Sequence, residues 1–253
     1  MSLLSTIQTG RTTLPPRLMI YGQEGVGKST FAARAPQAIF IQTEDGLGQI
    51  DCAKFPLCTS IQEVFDQLNA LLNEEHTFGT LAIDSLDWLE RLIHDAVCTD
   101  YGVKSIEKAD GGYGKGYIHA LTYWRKFVSL LDDLRQQRGL AIVLIAHAKI
   151  ERFEDPENPA YDRYTPRLHK TACALLTEWA DGVLFAFRRV RVSKEGERAL
   201  ASAIGADGGE RILRTNGGPA CVAKNRYGLP TEVPLDFTEL LPYLIPTQEK
   251  THA

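Results

Sequence analysis

Gly22-Gln23-Glu24-Gly25-Val26-Gly27-Lys28-Ser29, with Thr30 directly behind it, decides how this chain is read. The octet fits the phosphate-binding P-loop pattern G-x-x-x-x-G-K-[ST]. A short apolar stretch, Leu18-Met19-Ile20-Tyr21, leads in as a strand, and Ser29 to Arg34 leads out as a helix. Glycines let the backbone wrap closely enough for successive N–H groups to point at phosphate oxygens, and the following helix adds its positive end. The motif predicts a bound nucleoside triphosphate held by residues 22–30. Lys28 would neutralise β/γ-phosphate charge, and the Ser29 hydroxyl would coordinate Mg²⁺.

Strand-like apolar runs recur at Leu18–Tyr21, Ala38–Ile41, Thr80–Ile83, Leu140–Ala146 and Gly182–Phe187. Between them lie segments with apolar residues at helical spacing, Ile61–Asn73, Ser85–Thr99 and Ile118–Gln137. This alternation predicts an α/β fold, a mainly parallel sheet with helices on both faces. The last third differs: Val183–Val192, Glu210–Arg214 and Cys221–Ala223 read as short strands between Gly-rich turns, an antiparallel extension. Ala109–Tyr117 and Arg152–Arg167 read as loops. The expected organisation is a flexible arm over 1–14, a P-loop domain over 15–245 and a flexible tail over 246–253.

A P-loop needs a carboxylate at a strand end to hold Mg²⁺. Thr80-Leu81-Ala82-Ile83-Asp84 supplies Asp84 as the Walker B carboxylate; the alternative is an Asp that caps the helix starting near Ser85. Hydrolysis also needs a group to activate water. Glu44, ending the second strand beside Asp45, is that candidate, on the strand expected next to the P-loop; the alternative is a polar turn before Gly46. His147 follows six apolar residues at the strand edge where such sheets bind ligands, which suits a γ-phosphate sensor, although a structural histidine is also compatible.

Composition narrows the classes. At 253 residues, 44% hydrophobic and 24% charged, the chain suits one α/β domain. A net charge of −4 excludes a uniformly basic surface, so nucleic-acid contact would come from local clusters. Five cysteines without a C-x-x-C pair read as reduced thiols, not a disulfide frame or a zinc site. Neither a signal peptide nor a membrane-spanning run is apparent, so a cytoplasmic location is expected. The guanine-reading motif Asn/Thr-Lys-x-Asp is also not apparent, which favours ATP over GTP.

With these pieces in place, the chain resembles the RecA-like branch of P-loop ATPases, and within it the phage-encoded proteins known as phage nucleotide-binding proteins or single-strand annealing ATPases. The resemblance runs from about Leu14 to Pro230. It is carried by Gly22–Thr30, Thr43-Glu44-Asp45-Gly46-Leu47, Ile83-Asp84-Ser85, Gly111–Tyr117, Ala146-His147, Tyr161-Asp162-Arg163-Tyr164 and Ala223-Lys224-Asn225-Arg226-Tyr227-Gly228. It implies a RecA-like core using ATP and Mg²⁺ in a bacterial host cell. It also implies that Lys224 and Arg226, two apart on one strand face, project onto the nucleotide of a neighbouring subunit; the alternative is a solvated basic strand end. The active site would then lie between copies of a homo-oligomer, ring or filament.

In RecA-like filaments DNA follows loops that here correspond to Lys104–Tyr117 and Lys149–Arg167. Lys104, Lys108 and Lys115 interleave with Tyr113 and Tyr117, cations for phosphate and rings for bases. Arg152 and Arg163 stand in the second loop among several carboxylates, and a flexible lid is the alternative reading of both. The run Arg188-Arg189-Val190-Arg191 reads as an exposed strand face or a further phosphate track. Without an added helix-hairpin-helix module or a recognisable C-terminal DNA domain, the expectation is annealing, or ATP-dependent binding of single-stranded DNA with a partner such as a single-strand-binding protein. Two other classes compete: a nucleotide-kinase-type phosphotransferase, and an ATP-switched scaffold with little turnover.

Overall fold

Continuous apolar runs, buried on both faces, build the centre of the sheet, as seen in a computed structural model that describes residues 3–7, 9, 14–195, 198–203 and 209–244. The first half contains β1 (Arg17–Gly22), α1 (Lys28–Ala33), β2 (Ala38–Gln42), β3 (Ala53–Lys54), α2 (Ile61–Asn73), β4 (Thr80–Asp84) and α3 (Leu86–Asp100). A 3₁₀ turn at Ile106–Gly111 precedes α4 (Lys115–Gln137), β5 (Ala141–Phe153), β6 (Tyr161–Pro166), α5 (Lys170–Trp179) and β7 (Gly182–Arg188). The remainder is β8 (Val190–Glu195), β9 (Arg198–Ala203), β10 (Arg211–Arg214), β11 (Lys224–Asn225), β12 (Glu232–Pro234) and α6 (Leu241–Leu244).

Among the described residues, ten strands share one sheet in the order β12-β10-β7-β1-β5-β4-β2-β3, with β11 beside β7 and β6 beside β5. From β7 to β3 every pairing is parallel, while β10, β11 and β12 add antiparallel at the far edge. Met19 and Tyr21 of β1 point into one core cluster with α2 to α5; Leu18 and Ile20 point into another with α1 and α6. Helices therefore cover both faces of the mainly parallel sheet, as the alternating strand and helix signals predict.

Four local readings are corrected. The stretch Arg152–Arg167 is not a loop: β5 continues to Phe153 and pairs antiparallel with β6, and Pro156 and Pro159 fall in the turn between them. Ala109–Tyr117 is only partly loop, because α4 begins at Lys115. Val183–Val192 is two strands with different neighbours, β7 in the main sheet and β8 paired with β9. Cys221 makes only isolated bridges, and the strand there is Lys224–Asn225. Of the expected arm, Leu3–Thr6 forms a 3₁₀ turn; the expected tail over 246–253 lies outside the described residues. No helix among the described residues is long and apolar enough to cross a membrane.

Candidate nucleotide site

The ends of four parallel strands meet at one edge of the sheet. Gly22 of β1 is in register with His147 of β5, Asp84 of β4 with Ile145, and Gln42 of β2 with Asp84. This order corrects one expectation: Glu44 does not follow the strand next to the P-loop, because β5 and β4 lie between β1 and β2. Glu44 nevertheless reaches the site, since the turn after β2 folds back over β4. The Thr43 and Glu44 N–H groups both donate to the Asp84 carbonyl, at 2.8 and 3.2 Å.

Two glycines in the loop are required by geometry. A Cβ at Gly22 would stand 2.2 Å from the Ala186 carbonyl oxygen of β7. Gly27 has φ of 109°, and a Cβ there would meet the Arg211 guanidinium at 3.0 Å. Val26 is buried beneath the loop in the α1 core and anchors it.

Lys28 is buried, and its Nζ donates to the Gly22 and Gln23 carbonyls at 3.1 and 2.9 Å. Burial pushes its pKa down, against the attraction of Asp84 and other carboxylates. The Ser29 hydroxyl donates to Asp84 Oδ2 at 2.6 Å. Burial pushes the Asp84 carboxyl up, and Glu44 adds to the rise. Thr30, Glu44, Asp84, His147 and Arg211 line a cleft of about 320 Å³ with the loop, within the size range of small-molecule sites.

Glu44 is held by Ser85, whose hydroxyl donates to Oε2 at 3.0 Å. The same Oε2 lies 3.9 Å from His147 Nδ1. That nitrogen is closer to Asp87, 3.0 Å from Oδ2. A carboxylate only accepts, so the ring proton belongs on Nδ1 and Nε2 is left as an acceptor. Asp87 also accepts from the His147 backbone N–H at 3.1 Å and from Arg167 Nη2 at 2.9 Å. Burial alone would raise the Asp87 carboxyl, but these donors outweigh it and hold it well below the ordinary range.

The donor set fits Mg²⁺. Among the described residues no group of three or more His, Cys, Asp or Glu side chains could cage a metal by itself. One carboxylate and one hydroxyl, Asp84 and Ser29, suit an ion that keeps waters and takes substrate phosphates as its other ligands.

Lys224 and Arg226 do not join this cleft. β11 pairs with Gly182 and Val183 at the start of β7, the sheet edge opposite the P-loop and roughly 13 Å away along the strand. Lys224 Nζ donates to the Thr177 and Glu178 carbonyls at the end of α5, at 3.1 and 2.7 Å. Arg226 Nη1 pairs with Asp181 at 3.0 Å, and its side chain is 57% exposed.

The candidate DNA contacts divide. Lys104 and Lys108 are exposed, and Tyr113 is 100% exposed at a tip where every residue from Asp110 to Gly114 has positive φ. Lys115 faces Asp110 at 3.6 Å. Tyr117 is committed inward: its ring stacks on His169 at 3.9 Å and 4°. Arg152 is exposed beside Glu154, whereas the Arg163 guanidinium lies over the Phe153 ring at 3.9 Å. Of the arginine run, Arg188 donates to the Gly25 carbonyl at 3.2 Å, and Arg189 pairs with Glu210 and Glu232.

Around the cleft, Asp87 and Arg211 carried no sequence expectation, Ser85 stood only within the Ile83-Asp84-Ser85 segment, and Arg167 only among the cations of the Lys149–Arg167 loop. Asp87 lies in the first turn of α3, where an acidic residue is ordinary and marks no site. Arg167 and Arg211 come from segments far from the loop in sequence, so no local pattern marked them.

A family model described as an AAA domain matches residues 14–227. The range takes in the P-loop, Glu44, Asp84, His147 and Arg226. Among curated proteins, the chain is similar to the SPbeta prophage-derived uncharacterized protein YorG of Bacillus subtilis (strain 168). The two are 24% identical over 173 residues, 66% of this chain and 49% of that protein. The chain therefore spans about half the length of the curated relative it matches.

Proposed function

The chain belongs to the AAA-domain family, and we propose that it is a Mg²⁺-dependent ATPase whose turnover is stimulated by single-stranded DNA. In this reading it works as a homo-oligomer in phage recombination or replication, annealing or binding single strands with a RecA-like core. The observation that carries the enzymatic half is the placement of Glu44 in the cleft of Lys28 and Asp84, with its carboxylate tethered 3.0 Å from Ser85.

Lys28 exchanges the Gly22 and Gln23 carbonyls for the β/γ-phosphates, which relieves a cation that burial otherwise disfavours. Ser29 and Asp84 would hold Mg²⁺, which would supply charge neutralisation of the phosphates. Glu44 accepts the proton of the attacking water; Ser85 aims it. His147, its tautomer set by Asp87, lines the same cleft and is suited to report the γ-phosphate.

The DNA half is supported by exposed Lys104, Lys108 and Tyr113 on one segment and by Arg152 on the hairpin. Mobile cations with a free ring are the parts that single-strand binding uses. For the oligomer, Arg226 has the exposure to reach a neighbour's nucleotide, while Lys224 is occupied by α5. A single-strand-binding protein is the accessory partner we propose.

Phosphate release by the wild type, Lys28→Ala and Arg226→Ala, with and without single-stranded DNA, tests this reading. Turnover stimulated by DNA, abolished in Lys28→Ala and reduced in Arg226→Ala, supports it. Turnover indifferent to DNA with Arg226→Ala fully active sinks the DNA and oligomer parts. Phosphate appearing on a nucleoside acceptor makes the protein a kinase instead.

A further inference from the structure

Arg167 is the first residue after β6. Its backbone N–H donates to the His147 carbonyl at 2.8 Å, so these two residues close the base of the β5–β6 hairpin. The guanidinium of Arg167 is divided between two carboxylates of different character. Nη2 lies 2.9 Å from Asp87, whose side chain is 4% exposed, and Nη1 lies 3.1 Å from Glu24, whose side chain is 69% exposed.

Asp87 is a fixed anchor. It is buried and already receives the His147 backbone N–H and ring nitrogen, so moving it would strand several polar groups. Glu24 is a labile partner. It belongs to the P-loop itself, and a pair so exposed is screened by water and worth little. One half of the guanidinium is therefore fixed, and the other half is exchangeable, paired with an exposed residue of the P-loop. A phosphate oxygen is a stronger partner for a guanidinium nitrogen than an exposed, hydrated carboxylate.

We propose that Arg167 reads the terminal phosphate of the bound triphosphate in cis, releasing Glu24 for it while Asp87 holds its other nitrogen. Asp87 is the positioning residue for both Arg167 and His147. The inference rests on the cleft being the ATP site. It goes further in assigning discrimination of triphosphate from diphosphate to a residue of the same chain, one that also closes the hairpin carrying Arg152 and Arg163.

Equilibrium binding of the full chain to a non-hydrolysable ATP analogue and to ADP, both with Mg²⁺, tests it. Arg167→Ala should weaken the analogue about tenfold, as expected for a lost charge-assisted hydrogen bond, and leave ADP affinity unchanged. Arg167→Lys should recover part of the loss, and Asp87→Asn should reproduce it. Glu24→Gln, which removes the competing carboxylate, should tighten the analogue relative to ADP. This last variant decides the matter even if Arg167→Ala does not fold, because Glu24 is exposed. An analogue-to-ADP ratio unmoved in Glu24→Gln and Arg167→Lys overturns the inference alone. A wild type that binds neither nucleotide overturns the ATP reading, and this inference with it.

Discussion

The Ser29 hydroxyl donates a 2.6 Å hydrogen bond to the Asp84 carboxylate, joining residues 55 apart in sequence across the top of β5. The register of three neighbouring strands sets this contact, and it leaves a hydroxyl and a carboxylate side by side beneath the P-loop. The pair is fixed by the sheet and needs no rearrangement of the backbone to accept a cation.

Asp84→Asn keeps the shape and removes the charge. The Mg²⁺ concentration for half-maximal nucleotide binding should rise about tenfold, or about 1.4 kcal/mol. Isothermal titration with the nucleotide at fixed concentration measures this. Unchanged Mg²⁺ dependence would remove Asp84 from the metal site.

Gly22→Ala should destabilise the fold. The new methyl would stand 2.2 Å from the Ala186 carbonyl oxygen, backbone that cannot step aside without parting β1 from β7. Overpacking of this kind costs about 1–3 kcal/mol. A thermal melt should show Tm lowered by several degrees, and a Tm equal to the wild type would contradict the close approach.

Tyr113→Ala should weaken single-stranded DNA. The ring is 100% exposed on a strained tip and packs on nothing, so its removal leaves the fold intact. Stacking on one base is worth about 1–3 kcal/mol, which fluorescence anisotropy would read as a fall of about five- to a hundredfold. Tyr113→Phe should retain the affinity, and equal affinity of the Ala variant would exclude this tip from the DNA path.

Glu90 makes stability depend on pH. Burial pushes its carboxyl from 4.5 up to about 7, despite the His169 N–H and the nearby Lys149, which favour the charged form. The folded chain then binds the proton more tightly than the unfolded chain. The contribution is full below about pH 4.5 and is lost as pH rises through about 7. Glu90→Gln removes that loss, so its Tm relative to the wild type should rise from about pH 5 to about pH 8. A difference constant across that range would contradict the assignment.

Much of this was legible because the signals are local. Gly22 to Ser29 carry their own spacing, Thr80–Asp84 ends a buried strand in a carboxylate, and Ile61–Asn73 has its apolar stripe at helical spacing. Strand order was not legible, since which strands pair is a long-range outcome, and Glu44 was assigned to the wrong neighbour for that reason. The β5–β6 hairpin was hidden by Lys149, Glu151 and Arg152, which break the apolar pattern, and by prolines that sit in its turn. Asp87 and Arg167 meet across 80 residues, beyond any motif. Lys224 shows the opposite limit, because a two-residue cation pattern does not distinguish a phosphate ligand from a cation on the carbonyls of a helix end.

In the proposed mechanism Glu44 activates water for hydrolysis in the cleft formed by Lys28, Ser29 and Asp84. Steady-state ATP turnover and ATP affinity of Glu44→Gln, measured together, test it most directly. The expected result is kcat lowered about a hundredfold or more, in line with loss of a general base, with ATP affinity preserved. A Glu44→Gln enzyme that turns over ATP at the wild-type rate would contradict it.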